Sequence, residues 1–169
     1  MIHFLRLVHV LAGVFWVGSA LFMAAFVVPT VRAIGPAGGQ VMQQLAQVRK
    51  VPVYMMSSMA LTLLSGIALY WRAAGDFSNG WAGSGPGITF GLGGVLAILA
   101  ATIGLTIGMP TARRLGALAG SIAKSGAPPS AEQMAEMRRL QGRMSTVGAL
   151  GAGLLVLATA AMAVARYVA

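Results

Sequence analysis

Ile2 to Val28 reads IHFLRLVHVLAGVFWVGSALFMAAFVV, an almost unbroken apolar run interrupted only by His3, Arg6, His9 and Ser19. A helix needs roughly 20 residues at 1.5 Å each to cross a bilayer, and the apolar region of a secretory signal peptide is typically about 7–15, so the run reads as a retained membrane span. Cleavage of this segment is the alternative reading. Pro29 follows the run, and because proline lacks an N–H and clashes with the preceding turn, the span is expected to end there, at about 2–28.

Three further runs have the same character. The second opens at Pro52, a favoured first-turn position, and continues VYMMSSMALTLLSGIALYW to Trp71, with Tyr70 and Trp71 as interfacial anchors. The third, GITFGLGGVLAILAATIGLTIGM, covers 87–109 and is closed by Pro110. The fourth is expected at about 144–166, with a helical extension that starts near residue 130, where Ser130 and Gln133 have capping-box spacing. The expected fold is therefore an all-α, integral membrane four-helix bundle forming one domain over 1–169.

Composition agrees. Of 169 residues, 57% are hydrophobic and 9% charged, against about 45–50% and about 25% in soluble chains, which excludes an ordinary globular enzyme and a disordered segment. A formal charge of +9 would point to nucleic acid in a soluble protein, but the basic residues sit at the ends of apolar runs, so membrane lipid is the expected partner and nucleic acid is not. There is no cysteine, so disulfides and thiolate sites are impossible. No glycine-rich phosphate loop, repeat or heptad is present.

Between the runs, Ala33 to Lys50 carries Val41, Leu45 and Val48 at helical spacing, as an amphipathic helix near the headgroups does. The loop Asp76 to Pro86 holds Phe77 and Trp81 for the interface, and Arg113 to Gly126 prolongs the third helix into water. Orientation follows from charge. Nine basic residues (Arg32, Arg49, Lys50, Arg113, Arg114, Lys124, Arg138, Arg139 and Arg143) flank the first and third connections, and only Arg6, Arg72 and Arg166 lie on the other side. Lys and Arg resist translocation, so both termini are expected on the outer, periplasmic side of a bacterial inner membrane.

An ionisable group inside a bilayer costs several kcal/mol and is a functional candidate by default. His9, roughly 9–10 Å along the helix axis from its start, is the clear case. His3 is nearer the surface and, six positions away, lies on another face. The His9 face carries Gly13, Trp16, Ala20, Met23 and Val27. A glycine one turn from an imidazole leaves room for a flat macrocycle that Trp16 would bound, or simply lets another helix approach. His9 itself reads either as a metal or haem ligand or as a hydrogen-bonded structural or proton-transferring histidine.

The segment Val8 to Phe22, VHVLAGVFWVGSALF, resembles the first helix of the bacterial CopD-like and HemJ-like membrane proteins, in which a His is followed by a Trp-x-Gly segment within a small helical bundle. The resemblance covers this helix and the four-span layout. It implies haem b binding, or copper handling in the copper-resistance branch, with His9 in the ligand position. The lysine that HemJ-type proteins carry in a later helix has no counterpart in the predicted spans.

On this reading Met162 or His3 completes the iron coordination, or His9 of a second copy does. Arg6 and Arg72 at the outer helix ends suit haem propionates, or serve as headgroup anchors. The copper alternative uses Met55 and Met59, one turn apart on the second helix, with a histidine. A third alternative is an accessory subunit without cofactor. Glycines on the third and fourth helices, Gly104-x-x-x-Gly108 among them, point to close helix contacts and a homo-oligomer, and electron transfer requires a redox partner protein. The only acids, Asp76, Glu132 and Glu136, fall outside the apolar runs, so a hydrolytic triad has no carboxylate to orient an imidazole.

Overall fold

A computed structural model describes residues 2–35 and 38–168, with the Asp76 side chain outside the description. Pro36 and Ala37, within the Ala33 to Lys50 connection, lie outside the described residues. The described chain is all helix and turn, without strands. Four helices are long and apolar enough to cross a membrane: α1 (Ile2–Ile34), α3 (Val51–Ala74), α4 (Gly85–Ser125) and α5 (Ala131–Tyr167). The short α2 (Gly38–Gln43) runs into a widened turn over Gln44–Val48. Val41 and Val48 are exposed, while Leu45 between them is half-buried.

The ends of the helices follow local rules. The Ser130 side chain accepts from the Gln133 amide at 3.1 Å while Gln133 accepts from the Ser130 amide at 2.9 Å, the reciprocal capping expected from their spacing. Gly126 adopts the left-handed conformation that ends α4. Pro29 and Pro110 do not end their helices. Each is preceded by a widened turn with hydrogen bonds one residue longer than the α pattern, at Met23–Val27 and Gly104–Gly108, after which the helix resumes. The extra residue absorbs the missing proline N–H and the clash with the preceding turn, so α1 reaches Ile34 and α4 reaches Ser125.

The packing is inverted relative to a soluble bundle. Phe15, Phe22, Phe26, Leu64, Ile67, Leu92, Val95, Leu150 and Leu157 are exposed, while the interior is mostly small, with Ala97, Ala100, Ala101, Ala152, Ala158, Ser58, Thr62 and Ser65 buried around the larger Trp16, Leu140 and Leu155. Large apolar side chains outside and small ones inside is the arrangement that hydrocarbon solvent permits and that close helix approach requires. The tightest pairings are α1 with α3 and α4 with α5. Trp16, 6% exposed, ties them together by packing from α1 on Ala97, Ala100 and Ala101 of α4 and Leu155 and Ala158 of α5, with Met59 and Leu63 of α3 alongside.

Four antiparallel helices put both described chain ends at one end of the bundle. There Tyr70 and Trp81 meet edge to face at 5.3 Å, Trp71 and Phe77 at 5.4 Å, and the Tyr70 hydroxyl donates to the Gly87 carbonyl at 3.1 Å. The residues expected at the interface thus form one aromatic cluster that closes the loop between α3 and α4.

Candidate functional site

α1 and α3 meet along a seam of small and polar side chains. On α3, Ser58, Thr62 and Ser65 are spaced four and three apart, share one face and are buried there. Each hydroxyl returns a hydrogen bond to its own helix: Ser58 to the Met55 carbonyl at 3.0 Å, Thr62 to the Ser58 carbonyl at 2.7 Å, and Ser65 to the Leu61 carbonyl. The hydroxyl protons are therefore committed, and the Ser65 oxygen is left to accept from α1.

His9 enters this seam half-buried. Its Nδ1 lies 2.9 Å from the Thr62 carbonyl oxygen and 3.2 Å from Ser65 Oγ. A carbonyl only accepts, so Nδ1 carries the proton, and the Ser65 oxygen shares it. Gly66 makes the fit possible. A Cβ at that position would stand 2.8 Å from His9 Cε1, closer than real Cβ atoms come, and a tight 3.2 Å from Nδ1, so the ring rests directly on the α3 backbone. One turn along, Gly13 faces Thr62, where a Cβ would come within 3.6 Å of Thr62 Cγ2. That is an ordinary van der Waals distance, so Gly13 borders the seam without being required by it.

With Nδ1 protonated, the neutral ring keeps its lone pair on Nε2. That nitrogen makes no hydrogen bond among the described residues, and it is not fully sealed in the bundle. An imidazole whose Nδ1–H is held by a backbone carbonyl while Nε2 is free is the arrangement metal-ligating histidines use: the carbonyl fixes the tautomer and raises the basicity of the ligating nitrogen.

The other expected site residues are dispersed. His3 and Arg6 are exposed on the first turns of α1, and Arg72 is exposed in the last turn of α3, where its charge complements the helix dipole. Trp16 is a core residue. Met162 lies in a notch at Gly93, where a Cβ would stand 2.9 Å from Met162 Cγ, and is committed to the α4–α5 contact. Met59 packs against the Trp16 cluster and Met55 is half-buried a turn away. No group of three His, Asp or Glu comes together among the described residues.

The partners of His9 have only a faint trace in the sequence. Ser58, Thr62, Ser65 and Gly66 form a small polar face opposite a lone histidine, but the decisive acceptor, a backbone carbonyl, has no side-chain signature. No family model, curated protein or solved structure matches this chain. The chemistry of the site therefore rests on its own geometry.

Proposed function

We propose that this chain is a multi-pass protein of the bacterial plasma membrane that binds haem b through Nε2 of His9, in the half of the membrane on the side of its termini, and serves electron transfer or redox sensing there. The observation that carries the reading is the Nδ1–H bond of His9 to the Thr62 carbonyl with Nε2 left unpartnered. An imidazole anchored at Nδ1 by a backbone carbonyl, with no partner at Nε2, is the kind of single donor that a porphyrin iron takes. Haem supplies a one-electron couple whose potential depends on its axial ligands and on the hydrogen bonds behind them.

The chain's own residues then have separate tasks. Thr62 and Ser65 hold the imidazole proton and ring orientation, Gly66 lets the ring approach the α3 backbone, and Arg6 and Arg72, at the same end of the bundle, offer guanidinium forks to propionates. The groove lined by Tyr70, Trp71 and Gly94 and that lined by Thr111, Arg114 and Arg143 are both separate from His9. With His3 exposed and Met162 turned to Gly93, the symmetrical second donor is His9 of another copy.

An absorption spectrum of the detergent-solubilised protein, before and after dithionite, tests this. The wild type is expected to show a Soret band that shifts on reduction, and His9→Ala to lose it while keeping its helical content. A Soret band of equal intensity in His9→Ala, or a wild type that takes up no haem on reconstitution, overturns the proposal; a colourless sample with stoichiometric copper favours the copper alternative.

A further inference from the structure

Where α4 and α5 leave the apolar zone, at the end of the bundle opposite the termini, they enclose a groove of about 170 Å³ lined by Thr106, Ile107, Pro110, Thr111, Arg114 and Arg143. Its two charged residues come from different helices and both line the same groove. Neither guanidinium has a hydrogen-bond or carboxylate partner among the described residues, whereas Arg32 donates to the Gln141 carbonyl and Arg139 is held by Glu136 through two bonds of 2.6 and 2.7 Å. The threonines supply no donor, because Thr106 gives its proton to the Thr102 carbonyl and Thr111 to the Ile107 carbonyl. The floor, Ile107 and Pro110, is apolar. All free donors of the groove are therefore the ten N–H bonds of two arginines, over a hydrocarbon floor at a membrane boundary.

We infer that this groove is a binding site for a phosphate-type oxyanion, clamped between Arg114 and Arg143. Arginine forks match the paired oxygens of a phosphate, and the volume far exceeds the roughly 30 Å³ one water takes in the liquid. The single carboxylate nearby does not forbid it, since Glu136 is occupied by Arg139. The oxyanion is either the headgroup of an anionic phospholipid, whose chains the apolar floor would continue to accept, or a free phosphate. The inference does not depend on haem, which lies at the other end of the bundle.

Thermal unfolding of the full chain separates the sources: inorganic phosphate against chloride at matched ionic strength in zwitterionic detergent, and phosphatidylcholine vesicles with and without phosphatidylglycerol. The unfolding midpoint of the wild type is expected to rise with one probe. Phosphatidylglycerol alone identifies a lipid headgroup, and phosphate alone or both probes identify a site for the free anion. Arg114→Gln with Arg143→Gln is expected to remove the rise, and Arg113→Gln with Arg138→Gln, which takes two exposed charges from the same end outside the groove, to preserve it. Should the glutamine pair fail to fold, Arg114→Lys and Arg143→Lys keep the charge but lose the fork, and each is expected to raise the apparent Kd about tenfold. Equal loss in the groove and control variants, no loss in the lysine variants, or no rise with either probe overturns the site.

Discussion

Along α1 and α3 the helices meet through Gly13, Gly66 and the hydroxyls of Ser58, Thr62 and Ser65 around one imidazole, whereas along α4 and α5 they meet through Gly93, Ala97, Ala100, Ala101, Leu155 and Ala158. Both pairs approach closely, and the second does so with no ionisable side chain. Small residues therefore suffice for helix pairing in this bundle, as they commonly do in hydrocarbon. A histidine in an apolar span carries a desolvation penalty that the α4–α5 pair avoids. The α1–α3 seam offsets that penalty with a carbonyl and a hydroxyl at Nδ1, and leaves Nε2 available. The extra polar chemistry of the seam is what stability alone does not require.

The largest effect is expected where the two demands collide. In Gly66→Ala the new methyl would stand 2.8 Å from Cε1 of the His9 ring, so the ring that bonds to Thr62 must shift. Overpacking of this kind costs about 1–3 kcal/mol. The variant should also lose haem even where it stays folded, read as the Soret-to-protein absorbance ratio after reconstitution. If Gly66→Ala binds haem like the wild type, the seam is a packing device like α4–α5 and the contrast between the pairs fails.

A smaller effect is expected at the corresponding notch of the other pair. A Cβ at Gly93 meets Met162 Cγ at 2.9 Å and the Ala158 carbonyl at 3.1 Å. Methionine is unbranched and repacks, so Gly93→Ala is expected to destabilise by about 1 kcal/mol, with Met162→Ala in the same chain recovering part of the loss. Haem content should be unchanged in both. Loss of haem in Met162→Ala would instead make Met162 a ligand and join the two regions into one site.

The layout of the fold was legible because it depends on length and apolarity: four runs, Pro52 in a first turn, and Ser130 with Gln133 as a cap all read directly from local sequence. Continuation of α1 past Pro29 was not legible, since a proline reads as a stop unless the helix widens just before it, and nothing local in Met23–Val27 announces that; beyond Pro110 the prolongation over Arg113 to Gly126 was legible, but the widened turn at Gly104–Gly108 that carries α4 through the proline was not. At the site, His9 stood out as an ionisable group in an apolar run. Its partners did not, because which residue of α3 lies opposite His9 is set by the helix-to-helix register, and Thr62 contributes its backbone oxygen rather than its side chain.

The smallest expected effect concerns the one salt bridge among the described residues, on the stretch of α5 that precedes its apolar zone. Glu136 accepts from Arg139 Nε and an Nη, and these bonds hold its carboxyl below the usual value of 4.5, helped by the charges of Arg139 and Arg114. A carboxyl depressed in the folded state adds stability that is fully present above its unfolded pKa and disappears as pH falls through the lower folded value. The unfolding midpoint of the wild type should thus fall below about pH 4.5 by more than that of Glu136→Gln, and the two should respond alike above it. The difference will be slight because the pair is solvent-exposed, where ion pairs contribute little. A large acid-linked loss absent from Glu136→Gln would mean that α4 and α5 depend on charge as well as on small residues, and the apolar pair could no longer serve as the reference against which the histidine seam is judged.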